Sequence, residues 1–261
     1  KHLSLQTKLT ICILITSAVL VGLSLYLLNR AWQTYLRADE IYRLSRGANH
    51  FILTLKDLTF ERGRTNVVLS SGKSVSDADR IFINTRRKTV DENMSKGIEW
   101  LAGVDQSLFT ELNASYVELK NLRNKADKII NSGKQSSAGN KLPEEWFKQS
   151  TGLIHEIINT VDIIARRQNL PGNFENYFRY LIYTLEFRDR IGQAGSIMTA
   201  AVSKGRKLTP GEQKEFYGNL ALADYHWSKI EVIASAINDP ELNRQKLSVQ
   251  NKYYELYRPA L

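Results

Sequence analysis

The stretch that most constrains this chain is Leu9–Leu28, LTICILITSAVLVGLSLYLL, twenty residues without a formal charge. A helix of that length is about 30 Å long, the thickness of one bilayer core. A secretory signal has a shorter apolar region, of about 7–15 residues, ending at a small-residue cleavage site. Here Thr16-Ser17-Ala18 falls in the middle of the run, with more apolar sequence beyond. The segment therefore reads as an uncleaved membrane anchor. Lys1 and Lys8 precede it and Arg30 and Arg37 follow it, so the positive-inside count is nearly balanced. The tail before the span is short, and the expectation is that it stays inside while the rest of the chain lies outside the cytoplasm.

Some 230 residues follow the span, enough for one large or two small helical domains. The single cysteine, Cys12, lies within the span, which excludes a disulfide within the chain and a cysteine-based metal site. The formal charge of +9 is spread over separate places, among them Arg62, Arg86-Arg87-Lys88, Arg166-Arg167 and Lys204–Lys207. That scatter, on a domain outside the cytoplasm, does not point to nucleic acid. It fits solvated helix faces, contact with lipid headgroups or a small anionic ligand.

The remaining sequence is helical in its periodicity. Pro143, Pro171, Pro210 and Pro240 each fall at the start of a fresh helical pattern, where a first turn tolerates proline. Phe147, Thr151, Ile154, Ile158, Val161 and Ala165 repeat at alternating spacings of four and three, as do Phe216, Leu220, Ala223, Trp227, Ile230 and Ala234. This is the seam of a packed helix. The fold class is all-α, with helices expected at 5–70, 76–103, 106–132, 143–168, 173–204, 210–237 and 240–261. Short links make antiparallel neighbours, hence bundles.

The two halves resemble each other. Leu58-Thr59-Phe60-Glu61-Arg62 can be set against Leu185-Glu186-Phe187-Arg188-Asp189, and the Ser70–Ser76 loop against Ser203–Thr209. Trp100 then matches Trp227, and Tyr116-Val117-Glu118-Leu119 matches Tyr253-Tyr254-Glu255-Leu256. Four matches in the same order argue for duplication. The expected organisation is a cytoplasmic tail over 1–8, a transmembrane helix over 9–28, a first bundle unit over 29–168 and a second over 169–261. The second unit stops before any counterpart of Glu145-Trp146-Phe147. The natural protein is therefore expected to continue, complete that bundle and return to the membrane.

Enzyme signatures are lacking. His2, His50, His155 and His226 are far apart and form no metal-binding frame, and Gly72-Lys73-Ser74 lacks the glycine and strand a phosphate loop needs. The informative residues are arginines on apolar seams. The seam Leu44, Ala48, Phe51, Leu55, Leu58 next reaches Arg62, then Thr65 and Leu69; Ile83 leads to Arg87, then Val90, Met94, Gly97 and Leu101. Phe174, Phe178, Leu181 and Leu185 lead to Arg188, then Gly192, Gly195 and Thr199. A guanidinium in a core is costly unless a carboxylate or a ligand pairs with it, and its planar fork suits oxyanions. Gly63, Gly192, Ala194 and Gly195 leave room beside these arginines. Two readings stay open. Arg62 and Arg188 either hold an anion or pair with Glu61, Asp91, Asp189 or Glu186 and only set register. Trp100, Trp146 and Trp227 read as core wedges.

Phe60-Glu61-Arg62-Gly63-Arg64-Thr65-Asn66, with Arg86-Arg87 and Asp91, resembles the helical sensor regions of bacterial transmembrane receptors. Glu145-Trp146-Phe147, Phe187-Arg188-Asp189 with Gly192, and Trp227 before the tyrosine-rich helix add to the likeness. Such regions occur in methyl-accepting chemotaxis proteins, sensor histidine kinases of two-component systems and diguanylate cyclases. The Glu-Arg-Gly element is also similar to that of nitrate- and nitrite-sensing domains, whose arginines hold the anion between helices. The resemblance implies a periplasmic input domain, anchored in the inner membrane and working as a homodimer without a cofactor. Its partner would be a small anionic solute or a periplasmic protein, and its output module would be cytoplasmic. Arg62 is then the first candidate for the anion, with Arg188 as its counterpart and Arg87 and Arg64 nearby. Where the nitrate-sensing pattern has a second Glu-Arg-Gly, this chain has Arg188-Asp189-Arg190. The alternative class is a membrane-anchored scaffold whose bundles bind proteins and no small ligand.

Overall fold

The computed structural model describes residues 4–71, 74–132, 141–167, 170 and 172–258. These form α1 (Leu5–Ser71), α2 (Asp77–Ala102), α3 (Gln106–Ser132), α4 (Leu142–Arg167), α5 (Gly172–Ser203), α6 (Pro210–Ile237) and α7 (Pro240–Gln250). A π-helical segment, Asn251–Tyr257, follows α7 directly. No strand occurs among the described residues, so the protein is all-α. The expected turn at Gly72-Lys73, most of the loop after Ser132 and the chain end from Pro259 lie outside the described residues.

The chain divides into two compact units, residues 1–46 and 47–261. In the first, α1 is long and apolar enough to cross a membrane, and its apolar side chains, from Leu9 and Leu14 to Leu23 and Leu28, are exposed. Trp32 and Tyr35 stack at 5.9 Å just beyond the run, the kind of aromatic pair that suits a membrane–water interface.

The second unit contains the core. Local chemistry fixes its helix ends. Ser76 accepts from the Asp79 amide at 3.1 Å to open α2, and Thr209 and Glu212 form a reciprocal capping box ahead of Pro210. Asp239 accepts from the amides of Glu241 and Leu242 ahead of Pro240. Asn238 ends α6 with a φ of 54°, a left-handed conformation asparagine tolerates.

The apolar seams of α1, α2 and α6 are buried as their spacing requires, as is the C-terminal part of the α4 seam from Ile154 onward. Trp146 and Trp227 are buried, and Trp100 is half-buried. Trp100 lies so close to α1 that a Cβ on Gly47 would fall 2.1 Å from its ring, which explains glycine there.

Two expectations change. The last helix does not keep α pitch to its end. The π-helical segment carries Tyr253 into a cluster with Phe187, at a ring distance of 5.0 Å, and with Trp227. The α5 seam also runs differently. Phe174 and Thr199 are exposed and Arg188 only half-buried, while Leu185, Asp189, Gln193 and Ser196 are buried. A second buried stripe, Phe187, Ala194, Ile197 and Ala201, includes three residues packed in the clusters that α5 forms with α6. With two buried stripes on one helix, extending a single row by three residues from Leu185 reaches Arg188, whereas the buried position is four residues on, at Asp189.

Candidate anion site among helices α1, α4 and α5

Arg62 is the only arginine with no exposed surface among the described residues. The α1 seam carries it inward between α4 and α5. Its Nη1 donates to Thr151 Oγ1 at 3.1 Å and lies 2.7 Å from Asp189 Oδ1. The Phe147 ring faces its guanidinium carbon at 5.3 Å, a cation–π arrangement. From behind, Trp146 Nε1 donates to the Arg62 carbonyl at 3.1 Å, tying α4 to this turn of α1. The opposite edge of the fork is different. Nε and Nη2 are buried and have no hydrogen-bond partner in the protein. A Cβ on Gly192 would lie 3.2 Å from Nη2, so the glycine keeps this edge clear.

Asp189 is likewise fully buried. Its Oδ2 accepts from Gln193 Nε2 at 2.6 Å and sits 3.0 Å from His155 Nε2. Burial by itself would raise the carboxyl pKa. The Arg62 charge and the bonds from His155 and Gln193 outweigh it, holding the group well below the usual carboxylate range.

A cavity of about 570 Å³ is lined by neither Arg62 nor Asp189 but by Phe147, Thr151 and Gln193, with Lys148, Lys204 and Arg206 and the carboxylates of Glu144, Glu212 and Glu215 also in its wall. Phe147 and Thr151 contact Arg62 and Gln193 contacts Asp189, so the cavity wall includes side chains that touch the buried ion pair.

The other candidate residues are distributed in three ways. Glu61, beside Arg62, does not pair with it. It accepts from Arg87 Nε at 2.9 Å and from Arg123 Nε and Nη2 at 2.8 and 2.6 Å. Arg123 also reaches Asp91, which accepts from Tyr116 as well, and Arg87 also reaches Asp127. This is a carboxylate-rich register lock among α1, α2 and α3 that consumes most of the guanidinium donors. Arg188 donates to the Lys56 carbonyl at 2.9 Å and lies over Phe60 at 5.2 Å; burial lowers its pKa below the usual arginine value. Arg64 is exposed, paired with Asp79 at 3.2 Å and set over Phe82. Arg62 and Asp189 are thus brought together, while Arg188, Arg87 and Arg64 point to other neighbours.

Sequence reasoning missed three contributors. Arg123 was legible: Leu112, Tyr116, Leu119, Arg123, Ala126 and Ile130 form a buried α3 seam with the same interruption. His155 and Gln193 carried no signal, because neither interrupts a row of apolar residues. Among the described residues no group of three or more His, Cys, Asp or Glu side chains gathers to hold a metal ion.

No curated protein and no solved structure matches the chain. Residues 55–251, which contain Arg62, Asp189, the cavity and the Glu61 network, match the family described as nitrate and nitrite sensing. The match covers most of the sequence, and the chain belongs to the nitrate and nitrite sensing family.

Proposed function

We propose that this sensor domain binds nitrate or nitrite against the Nε–Nη2 edge of Arg62. The observation that carries the reading is that edge itself: two donors of a fully buried guanidinium without a protein partner. Leaving such donors unsatisfied is costly, and a planar oxyanion accepts from both in parallel. Glycine at 192 sets no side chain against Nη2, and the cavity lies beside Phe147, Thr151 and Gln193, which touch the ion pair.

The finer reading follows from the same residues. α1 is one helix from Leu5 to Ser71 and carries both the apolar span and Arg62. A ligand that favours one packing of α1 against α4 and α5 would shift that helix, and packed cores respond by changing between discrete arrangements. The domain would lie outside the cytoplasm, work as a homodimer and pass this shift through the membrane to an output module.

Calorimetric titration of the chain in detergent with nitrate and with nitrite tests the proposal. Saturable binding is expected, with chloride, a spherical ion, competing weakly. Each hydrogen bond to a charged group contributes about 1.5–3 kcal/mol, so Arg62→Lys should weaken binding by at least about tenfold. Unchanged affinity in a folded Arg62→Lys protein would remove Arg62 as the contact.

A further inference from the structure

We infer that this site takes up its oxyanion together with a proton, and that His155 is the group that receives it. The inference rests on the assignment of the anion to Arg62 and adds the charge balance. Arg62 and Asp189, both without exposed surface, already form a neutral pair at 2.7 Å. A monoanion added to that pair would leave one net negative charge in a buried place, which is unfavourable without a compensating cation.

His155 stands where that cation is needed. Its Nε2 lies 3.0 Å from Asp189 Oδ2. An ionised carboxylate only accepts, so Nε2 carries the hydrogen and an added proton goes to Nδ1. The imidazole is about a third exposed, at 36%, so the proton can come from water. Protonation gives two cations and two anions in the filled site, against one of each in the empty one.

The other charged groups near it come from α1, α5 and α6, and among them the half-buried Glu186 carboxylate also interacts with His155. From α1 the facing charge is Arg62. From α5 they are Asp189 and Glu186. Arg188 is held by the Lys56 carbonyl and Phe60. Arg190 and, from α6, His226 lie 3.8 and 3.9 Å from Glu186. Gln193 beside Asp189 is neutral. His155 is thus the titratable cation in direct contact with the buried pair.

The test is calorimetry of nitrate binding to the 261-residue chain in detergent, from pH 5.5 to 8.5, in two buffers of different ionisation enthalpy. At the alkaline end of this range about one proton should be taken up per nitrate, and the Kd should tighten as the pH falls. In His155→Gln, where the amide still donates to Asp189, uptake should vanish and the Kd should no longer vary with pH. Asp189→Asn, whose Arg62 can be neutralised by nitrate directly, should also bind without proton uptake. Wild-type binding without proton uptake overturns this inference and leaves the anion site standing. Proton uptake that persists in His155→Gln also overturns it. If nitrate fails to bind at every pH, the anion assignment and the proton linkage fall together.

Discussion

The guanidinium of Arg62 and the carboxylate of Asp189 meet at 2.7 Å although neither side chain reaches solvent. One comes from α1 and the other from α5, so the pair joins two distant parts of the sequence through a single buried contact. Removing one partner strands a buried charge, which costs about 3–5 kcal/mol. Arg62→Ala should therefore lower unfolding stability in urea by an amount of that order. A loss below about 1 kcal/mol would mean that the carboxylate is rescued by other neighbours.

The same pair sets an acid limit. The folded-state pKa of Asp189 lies below its unfolded value, held there against burial by Arg62, His155 and Gln193. Its contribution is present in full above the unfolded carboxylate pKa, about 3.9, and is lost as pH falls from there through the folded value. Asp189→Asn should flatten the stability profile of the protein below about pH 4. An acid transition of unchanged steepness in that variant would assign it to other carboxylates.

Gly192 separates ligand binding from folding. A methyl group there would stand 3.2 Å from Arg62 Nη2, on the edge assigned to the anion, while a helix interior slightly prefers alanine, by about 1 kcal/mol. Gly192→Ala should keep the melting temperature within a few degrees and weaken nitrate binding by about tenfold or more, the equivalent of one hydrogen bond to a charged group. Equal affinity in titration of the two proteins would shift the ligand away from this edge.

Arg188 and Arg62 should differ sharply. Arg188 is half-buried, stacked on Phe60 and bonded to a backbone carbonyl, so Arg188→Ala removes one charge-assisted bond and some packing, about 1–2 kcal/mol. Nitrate affinity is expected to stay within about threefold, under 1 kcal/mol. A loss as large as that of Arg62→Lys would restore Arg188 as an anion contact.

Glu61 offers a further contrast. It receives three donors from Arg87 and Arg123 with no exposed surface. Glu61→Gln leaves two buried guanidinium groups short of charge and should destabilise by about 3–5 kcal/mol. Replacing Arg123 by methionine in the same protein should recover part of that loss, since the double change removes one of the two cations left short of charge. Strict additivity in urea melts would show that the two residues do not interact.

How far the sequence could be read depends on what kind of information each residue carries. The uncharged run Leu9–Leu28, the proline positions and the four-three spacing from Phe216 to Ala234 are local patterns, and the helices follow them closely. The same spacing placed Arg62 and Arg87 in the core because a helix that buries Leu58 or Ile83 must also bury the residue four on. Arg188 was misplaced because α5 buries two stripes, and one period cannot say which stripe faces which neighbour. The pairing of Arg62 with Asp189, the open Nε–Nη2 edge and the nearness of His155 depend on how α1, α4 and α5 come together. Local periodicity determines which face of a helix is apolar. Only tertiary packing decides which buried charge meets which partner, because that is set by the distances between helices far apart in the chain.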